Sequence, residues 1–297
     1  MPYKILKKQQ LGTSGTLFEM VLETPLIAKK AFAGNFILLR IDEKGERFPL
    51  TIADYNSENG TITIVFQVVG KSTKHLSLLE EGDEIADVVG PLGNQIEIKK
   101  YPKPIIIIGG GVGIAPCYPQ AKELKEAGNS IYSILGARNS DLLFWKDKFR
   151  KVSEKLIITT DDGSEGVKGF VPDPLKELLG KEPISLVIAI GPLIMMKNVT
   201  LTTNGKAGLP FVETVVSLNT IMVDGTGMCG GCRFPTIDGE FHFACVEGPD
   251  VNGHLVDFEN LLNRSIRYCE QEKVSMHRYE SQCRSIIDLN EKSKESL

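Results

Sequence analysis

A short cysteine-rich loop in the last third of the chain most constrains what it can fold into. Residues 224–232 read Asp-Gly-Thr-Gly-Met-Cys-Gly-Gly-Cys, and Cys245 follows after twelve further residues. Plant-type [2Fe–2S] sites use the spacing C-x4-C-x2-C…C, in which glycines let the loop wrap the cluster and direct N–H groups at its sulfurs. This chain keeps that spacing with an aspartate in the place of the first cysteine. The pattern therefore predicts a cluster held by Asp224, Cys229, Cys232 and Cys245.

Two other interpretations of the loop remain open from the sequence. Zinc accepts cysteine and aspartate ligands in a tetrahedral site, so the same four residues also suit a structural zinc ion. The cysteines can also be free thiols that bind nothing. The other three cysteines, Cys117, Cys269 and Cys283, have no partners at ligand spacing and are interpreted as core or surface thiols.

The composition is that of an ordinary globular protein. Its 297 residues correspond to about two domains, at roughly 150 residues each, and are 42% hydrophobic and 24% charged. A net charge of −4 argues against a protein that grips nucleic acid electrostatically. The longest apolar runs, 104–108 and 186–190, are far shorter than the ~18 residues of a membrane span. The N-terminus lacks the apolar segment of a secretory signal, so we expect a cytoplasmic protein, in which clustered cysteines favour a metal over disulfides.

The first part of the chain has the pattern of an antiparallel β-barrel. Residues 1–98 contain short alternating or apolar runs, separated by turns rich in glycine, asparagine and charge. This regular spacing of strands and turns is typical of a small barrel. The predicted strands are 16–23, 36–41, 61–69 and 84–89.

The rest of the chain divides into three further regions. In residues 99–216, short β-branched runs alternate with helical stretches, which predicts a Rossmann-like, doubly wound parallel sheet. Residues 217–260 are irregular and rich in glycine and cysteine, which suits a small cluster module, and 261–297 read as a helical tail. The predicted fold class is thus β plus α/β: an antiparallel barrel, a parallel-sheet domain, and a small C-terminal [2Fe–2S] module with a helical tail.

A glycine-rich turn follows the first buried strand of the parallel-sheet region. Residues 109–115 read Gly-Gly-Gly-Val-Gly-Ile-Ala and lead into a helical stretch. Glycines at such a turn let the backbone approach a pyrophosphate, whose charge then meets the N–H groups of a helix N-terminus. A tight turn without a ligand is the alternative. The residues predicted to bind a dinucleotide here are Gly110, Gly111, Val112, Gly113, Ile114 and Ala115.

Two more turns are expected at the carboxyl ends of parallel strands, where the ligands of open α/β sheets bind. Asp161 and Asp162 follow one predicted strand, and their carboxylates suit the hydroxyls of a ribose. Gly191 and Pro192 follow another, where a small residue lets a nicotinamide lie close. Ordinary turn chemistry explains either pair equally well.

In this order, the pieces resemble the flavin- and [2Fe–2S]-containing electron-transfer subunits related to ferredoxin–NADP reductase, over nearly the whole chain. Residues 47–51, Arg-Phe-Pro-Leu-Thr, resemble the flavin motif of that family. Residues 65–73 resemble its second flavin strand and phosphate loop, and 90–93 the turn that ends its barrel. The resemblance implies FAD, NAD(H) and one [2Fe–2S] cluster as cofactors. It implies FAD binding by Arg47, Pro49, Leu50, Thr51, Val65, Phe66, Gln67, Gly70, Ser72 and Thr73.

Two subgroups of the family compete. The electron-transfer subunit of dihydroorotate dehydrogenase has four cysteine ligands, whereas the small subunit of NADH-dependent ferredoxin:NADP oxidoreductase, also described as sulfide dehydrogenase, has an aspartate first. Asp224 favours the second subgroup. That resemblance implies a heterodimer with a larger subunit that carries a second flavin and [4Fe–4S] clusters. It also implies ferredoxin and NADP(H) as reactants of the complex, and the family further suggests electron bifurcation.

The implied activity follows from counting electrons. NADH gives up two electrons together as a hydride, whereas an iron–sulfur cluster accepts one electron at a time. A flavin can accept two electrons together and release them one at a time. No protein acid or base is needed, so no catalytic residue is predicted. The competing hypotheses are a zinc-stabilised interaction module that is no enzyme, a self-contained NADH-dependent reductase, and the dihydroorotate-type subunit.

Overall fold

The computed structural model describes residues 2–281 of the chain. Within that range, the strands form two seven-stranded sheets and one two-stranded ribbon. The first sheet is antiparallel throughout and the second is mostly parallel, which confirms the predicted β plus α/β fold class. Cys283 and the last part of the predicted tail, 282–297, lie outside the described residues.

The first sheet is a near-closed barrel with the strand order β6-β1-β2-β5-β4-β3-β7. Only Ala86 separates β6 from β7, and these two strands stand at opposite ends of that order. One nearly continuous strand therefore pairs with β1 at its start and with β3 at its end, which brings the ends of the sheet together. The strands are β1 (Tyr3–Leu11), β2 (Leu17–Glu23), β3 (Phe36–Arg40), β4 (Phe48–Asn56), β5 (Thr61–Gln67), β6 (Glu84–Ile85) and β7 (Asp87–Leu92), with helices α1 (Pro25–Ala28) and α2 (Lys71–Leu78).

Alternate residues of β3 serve two different cores. Ile37 and Leu39 are buried inside the barrel, whereas Phe36 and Leu38 are buried outside it, in a second apolar cluster that includes Cys232. Successive side chains of a strand point to opposite faces, so one strand can join two cores. The barrel wall is thus also a wall of the C-terminal module.

The second sheet has the order β11-β10-β9-β8-β12-β13-β16. All neighbours in it are parallel except β13 and β16. The last strand, β16, comes from the region predicted as the cluster module and extends the edge of this sheet. The strands are β8 (Ile105–Gly110), β9 (Ile131–Ala137), β10 (Lys155–Thr160), β11 (Val167–Lys168), β12 (Leu186–Ile190), β13 (Thr214–Ser217) and β16 (Asp250–Asn252).

Helices cover both faces of this parallel sheet. Ile105 and Ile107 of β8 pack with α3 and α4, whereas Ile106 and Ile108 pack with α5 and α6. A strand buried on both faces needs a continuous apolar run, which explains the four isoleucines in a row. The helices are α3 (Ile114–Glu126), α4 (Lys146–Val152), α5 (Pro172–Lys181) and α6 (Leu193–Thr202).

The C-terminal module consists of a small ribbon and short helices. These elements are β14 (Arg233–Pro235), β15 (Phe241–Phe243), α7 (Ala244–Glu247) and α8 (Phe258–Ser265), and residues 269–281 are also helical. No helix in the described part of the chain has the length and apolar character that crossing a membrane requires.

Polar contacts attach the barrel to the parallel-sheet domain at two places. The Tyr55 hydroxyl donates to Glu123 Oε1 on α3 at 2.5 Å, and burial together with this carboxylate raises the pKa of Tyr55. At the second place, Trp145 Nε1 donates to Glu19 Oε2 at 2.8 Å, and the Thr13 N–H donates to Asp141 Oδ1 at 2.5 Å. These hydrogen bonds hold the barrel in one position against the parallel-sheet domain.

Truncation of the central strand should destabilise the parallel-sheet domain. Ile107 of β8 is fully buried, so we expect Ile107→Ala to lower the free energy of unfolding by about 2–5 kcal/mol. Urea denaturation followed by the fluorescence of Trp145, the single tryptophan of the chain, measures this. Leu26→Ala, at a side chain that is 82% exposed, is the control and should change the midpoint little. Equal midpoints for both variants would contradict the assignment of β8 to the core.

Candidate functional site

The first candidate site lies at the carboxyl edge of the parallel sheet. The chain passes from β8 to β9 on one side and later returns to β12 on the other side of β8. A crevice forms where the strand order reverses in this way, and ligands of open α/β sheets bind there. The predicted segment Gly110–Ala115 runs from the last residue of β8 into the start of α3, Gly191 and Pro192 directly follow β12, and both segments border this crevice.

Close packing between the two turns accounts for most of their glycines. A Cβ atom on Gly113 would lie 2.3 Å from the Ile190 carbonyl oxygen, and one on Gly110 would lie 2.3 Å from Met195 Sδ. A Cβ atom on Gly191 would lie 2.7 Å from Met195 Cε. Gly113 is therefore needed to pack the start of α3 against the end of β12, and a side chain at Gly110 or Gly191 would displace the end of the Met195 side chain, whether or not a ligand is bound.

Gly111 is different, because the space beside it is open. Its φ is +55°, and nothing among residues 2–281 lies within 4 Å of the position of a Cβ atom there. A 3₁₀ turn, Gly111–Gly113, leads from it into α3, a helix of 13 residues whose first turn no described side chain caps. Open space beside uncapped N–H groups fits a pyrophosphate. The Ile114 and Ala115 side chains are buried, so only their backbone can face such a ligand.

The two predicted aspartates after β10 differ in their surroundings. Asp162 Oδ1 accepts hydrogen bonds from the N–H and the hydroxyl of Ser164, at 2.9 and 2.6 Å, and these bonds hold the pKa of Asp162 below its usual value. Asp162 thus stabilises its own turn. Asp161 is exposed, and its carboxylate has no hydrogen bond within the described range, which leaves it open to a ligand. Both aspartates follow β10, which lies two strand spacings, about 10 Å, from β8 and its glycine turn.

One residue of this edge, Arg138, was not predicted from the sequence. It directly follows β9, the strand beside β8, and stands two residues after Gly136, which is the register partner of Gly110. Arg138 is exposed, and in residues 2–281 its guanidinium has no ion pair or hydrogen bond. An unpaired guanidinium near an uncapped helix start suits a phosphate group. The signal in the sequence was an arginine three residues after the strand-like run 131–135 of the parallel-sheet region.

The predicted flavin residues of the barrel lie on β4 and β5 and at the start of α2. Pro49, Leu50 and Thr51 of β4 are partly exposed, so their side chains can contact a ligand. Phe66 of β5 is 1% exposed and stacks on Phe18, with 5.8 Å between the ring centroids. Its side chain supports the barrel, and only its backbone can contact a cofactor. Val65 and Gln67 flank it on the same strand; Val65 is buried and Gln67 is partly exposed.

The start of α2 offers a second set of open N–H groups. Gly70 is the N-cap residue, and within the described chain no side chain caps the first turn. Thr73 Oγ1 instead accepts from the N–H groups of Val69 and Gly70, at 3.0 and 3.1 Å. The Ser72 hydroxyl donates to Glu46, the neighbour of the half-exposed Arg47. An eight-residue helix whose first turn no described side chain caps fits the diphosphate of FAD.

The predicted cluster ligands are brought together as two pairs. Cys232 Sγ and Cys245 Sγ are 3.1 Å apart and buried. Asp224 Oδ2 accepts from the Cys229 N–H at 2.6 Å. Among residues 2–281, the structure holds no group of three or more His, Cys, Asp or Glu side chains arranged to hold a metal ion. The four side chains thus do not form a closed cage.

Two pairs of ligands fit a two-iron cluster better than a single zinc ion. Each iron of a [2Fe–2S] cluster takes two protein ligands, whereas a structural zinc needs all four around one point. Backbone N–H bonds from Thr226 and Cys229 hold the pKa of Asp224 below its usual value, so this carboxyl is ionised and able to bind a metal. Burial and the neighbouring Cys232 raise the pKa of Cys245 to about 12, so metal binding must displace its proton.

The cluster loop is packed against the barrel. A Cβ atom on Gly225 would lie 2.7 Å from Leu92 Cδ1 and 3.0 Å from Leu38 Cδ1, on strands β7 and β3. The Asn94 N–H donates to the Gly248 carbonyl at 2.6 Å, and Asn94 Nδ2 donates to the Val246 carbonyl at 2.8 Å. Both ends of the ligand set are therefore held on the part of the chain that ends the barrel.

Comparison with known protein families identifies two domains of the chain. The model of the iron–sulfur cluster binding domain of dihydroorotate dehydrogenase B matches residues 219–257, and that of the oxidoreductase NAD-binding domain matches residues 107–200. The fold and these two domains define an oxidoreductase of the ferredoxin-reductase-like class. Within that class, the chain belongs to the family of dihydroorotate dehydrogenase B electron-transfer subunits and their homologues.

Similar proteins show how far the likeness extends. The dihydroorotate dehydrogenase B (NAD⁺) electron transfer subunit homologue of Thermotoga maritima is 48% identical over 276 residues, which are 93% of this chain and 95% of that protein. A probable electron transfer subunit of Methanocaldococcus jannaschii is 39% identical over 206 residues, 69% of this chain and 76% of that protein. A solved structure of the NADH-dependent reduced ferredoxin–NADP oxidoreductase has a TM-score of 0.86 and 47% identity, and covers 94% of this chain and 98% of its own. Phthalate dioxygenase reductase, at 18% identity and a TM-score of 0.54 over 90% of this chain and 81% of its own, shares the fold.

These findings confirm the predicted family, the oxidoreductase class and the electron-transfer role. They also confirm FAD, NAD(H) and an iron–sulfur cluster as the cofactors expected for such a chain. The assignment of individual residues to each cofactor, and the domain boundaries, stay predictions.

Removal of one buried thiol should prevent cluster assembly. We expect Cys245→Ser to reduce bound iron at least about tenfold, because one iron would lose half of its protein ligands. Iron analysis of anaerobically purified protein, with paramagnetic resonance after dithionite reduction, measures this. Cys269→Ser, which changes a partly exposed free cysteine, is the control and should retain its iron. Equal iron in the two variants would exclude Cys245 as a ligand.

Proposed function

We propose that the chain takes a hydride from NADH and passes the electrons singly to its iron–sulfur loop, as the small subunit of a heterodimeric NADH-dependent ferredoxin–NADP oxidoreductase. The packing of Gly225 against Leu38 and Leu92 carries this proposal, because it fixes the cluster loop on the wall of the flavin barrel. The same barrel is attached to α3 of the NAD-binding domain through Tyr55 and Glu123. The barrel therefore contacts both the donor and the acceptor parts of the chain.

The residues of the parallel sheet would bind and orient the nicotinamide cofactor. The open space at Gly111 and the first N–H groups of α3 suit its pyrophosphate, and Arg138 supplies a positive charge beside them. Asp161 is free to accept hydrogen bonds from a ribose. Gly191 and Pro192 lie across the crevice, where a narrow turn allows a flat ring to approach.

The residues of the barrel and the loop would hold the other two cofactors. Pro49, Leu50 and Thr51 offer a partly exposed edge of β4 for the flavin ring, and the start of α2 suits its diphosphate. FAD, when bound, supplies the exchange between two-electron and one-electron chemistry. Asp224 and Cys229 would bind one iron of the cluster, and Cys232 and Cys245 the other.

Two observations favour this complex over a dihydroorotate dehydrogenase. The first ligand position holds Asp224, which distinguishes this loop from the four-cysteine pattern. The likeness to the NADH-dependent reduced ferredoxin–NADP oxidoreductase structure spans nearly the full length of both chains. The dihydroorotate-type subunit is the second candidate, because relatives at 29–39% identity carry that name and the 48% identical Thermotoga maritima protein is named as its homologue.

An exposed apolar patch beside the cluster loop supports a partner subunit. Ile221, Val223 and Met228 are 50%, 51% and 89% exposed. Apolar side chains grouped around a redox loop suit the core of a protein interface. The proposed partner is a larger subunit that carries a second flavin and [4Fe–4S] clusters, and the complex would exchange electrons with ferredoxin and NADP(H) in the cytoplasm.

Anaerobic purification of the tagged chain from its natural host tests the proposal as a whole. We expect a larger flavin and iron–sulfur subunit to co-purify, and the complex to couple oxidation of NADH to reduction of ferredoxin or NADP⁺. Oxidation of dihydroorotate by the purified complex would instead establish the second candidate. If the isolated chain reduced ferredoxin or NADP⁺ with NADH as fast as the complex does, the subunit assignment would be refuted.

Loss of the Arg138 guanidinium should weaken cofactor binding specifically. We expect Arg138→Ala to raise the Kd for NADH by about 10- to 100-fold, since a charged hydrogen bond to phosphate contributes about 1.5–3 kcal/mol. Titration of flavin reduction with NADH measures this, and flavin and iron contents should stay unchanged. Arg150→Ala is the matched control, because that guanidinium lies on α4 and pairs with Asp147. The same Kd for both variants would remove Arg138 from the site.

A charge within the apolar patch should impair assembly. We expect Met228→Lys to weaken binding of the larger subunit by about tenfold or more, because a lysine would lose its hydration in the interface. Ile237→Lys is the control, since Ile237 is also exposed but lies in the turn at the far end of the β14–β15 ribbon. Binding by surface plasmon resonance distinguishes them, and equal affinities would place the interface elsewhere.

A further inference from the structure

A carboxyl group lies at the point where the three parts of the molecule meet. Asp250 begins β16, in register with Ser217 of β13, and its Oδ2 accepts from Gln120 Nε2 of α3 at 2.8 Å. Gly34, just before β3 of the barrel, approaches it so closely that a Cβ atom there would lie 2.6 Å from Asp250 Oδ2. The barrel, α3 and the C-terminal module therefore all contact one carboxylate.

One of the two oxygens of this carboxyl is buried without a hydrogen-bond partner in the described part of the chain. Asp250 as a residue is partly exposed, but its Oδ1 is buried and has no partner among the residues that the structure describes. Gln120 Oε1, on the residue that bonds the other oxygen, is also buried without a partner there. Two acceptors without a donor are costly in the interior, and one proton on the carboxyl supplies a donor.

The groups that face Asp250 are uncharged. Helix α3 presents Gln120 and the buried thiol of Cys117, β13 presents the Ser217 hydroxyl, and the barrel presents the backbone of Gly34. With no cation among these groups, burial raises the pKa of Asp250 to about 7, although Ser217 and Gln120 oppose the shift. The group therefore changes its protonation near neutral pH, and is ionised above that range.

Short chain segments link the surroundings of Asp250 to the predicted flavin strand and to the predicted cluster loop. Gly34 is two residues before Phe36, which is the register partner of Thr51 on the proposed flavin strand. On its other side, Asp250 is five residues after Cys245 and follows Gly248, whose carbonyl accepts from Asn94. Negative charge added in a medium of low dielectric favours protonation of a nearby carboxylate.

We propose that Asp250 is a proton-accepting residue that is coupled to reduction of the cofactors. As NADH delivers its hydride, one proton from solvent binds a carboxylate oxygen of Asp250 and forms an O–H bond; reoxidation returns that proton to solvent. The added negative charge is thereby compensated within the protein. This inference rests on the proposed function, because it requires flavin and cluster to be bound beside the residue.

Infrared difference spectroscopy of the flavin- and iron-loaded chain tests this directly. Reduced-minus-oxidised spectra at pH 8 should show a new band from a protonated carboxyl, which shifts in heavy water. The band should be lost in Asp250→Asn and retained in Asp257→Asn, which removes the carboxylate that caps α8 in the same module. The flavin and iron contents of each sample are measured alongside, so that loss of cofactors is seen separately from loss of the band.

A second variant keeps the inference testable if Asp250→Asn does not fold. Gln120→Leu removes a donor to the carboxylate and should move its protonation in the oxidised protein to higher pH, as seen in the same band. A loaded wild-type chain without the band, or a band that survives in Asp250→Asn, would overturn the inference and leave the proposed function intact. A wild-type chain that binds neither flavin nor iron would overturn both.

Discussion

The contact between Gly225 and the leucines of β3 and β7 determines how the redox parts of this molecule are related. A side chain at position 225 would collide with Leu92, so a glycine there lets the loop lie directly on the barrel wall. Because alternate residues of β3 face opposite ways, the same strand lines the barrel and supports the cluster loop. This contact places the loop that carries Asp224 directly against the wall of the barrel.

Glycine has a different purpose at the crevice of the parallel sheet. Gly110, Gly113 and Gly191 allow two strand-end turns to pack on each other, whereas Gly111 alone leaves open space beside a helix start. A glycine-rich turn thus combines structural and ligand-binding demands within a few residues. The structure distinguishes the glycines that allow close packing from the glycine beside open space, because it shows which atoms a Cβ atom at each position would meet.

Local features of the chain were predictable from the sequence. The spacing of Asp224, Cys229 and Cys232 defines a loop by itself, and the four isoleucines before the glycine turn require a strand buried on both faces. Strands β1 and β4 were not anticipated. β1 is mostly lysine and glutamine on its exposed face, and β4 contains Pro49, which is unusual within a strand. Closure of the barrel stabilises both strands, and that is a non-local effect.

The sequence by itself determined the class of the fold, and it predicted the ligand types of the loop and the chemistry that they suit. Those properties depend on the identities of residues and on short spacings between them, and both can be read directly from the sequence. Only the tertiary structure showed that the predicted loop ligands lie as two pairs, that Arg138 follows the strand beside β8, and that the Phe66 side chain belongs to the barrel core. It also decided that Asp250 meets Gln120 and Gly34, which are more than a hundred residues away. Such contacts arise from the packing of distant segments, and no periodicity within one segment encodes them.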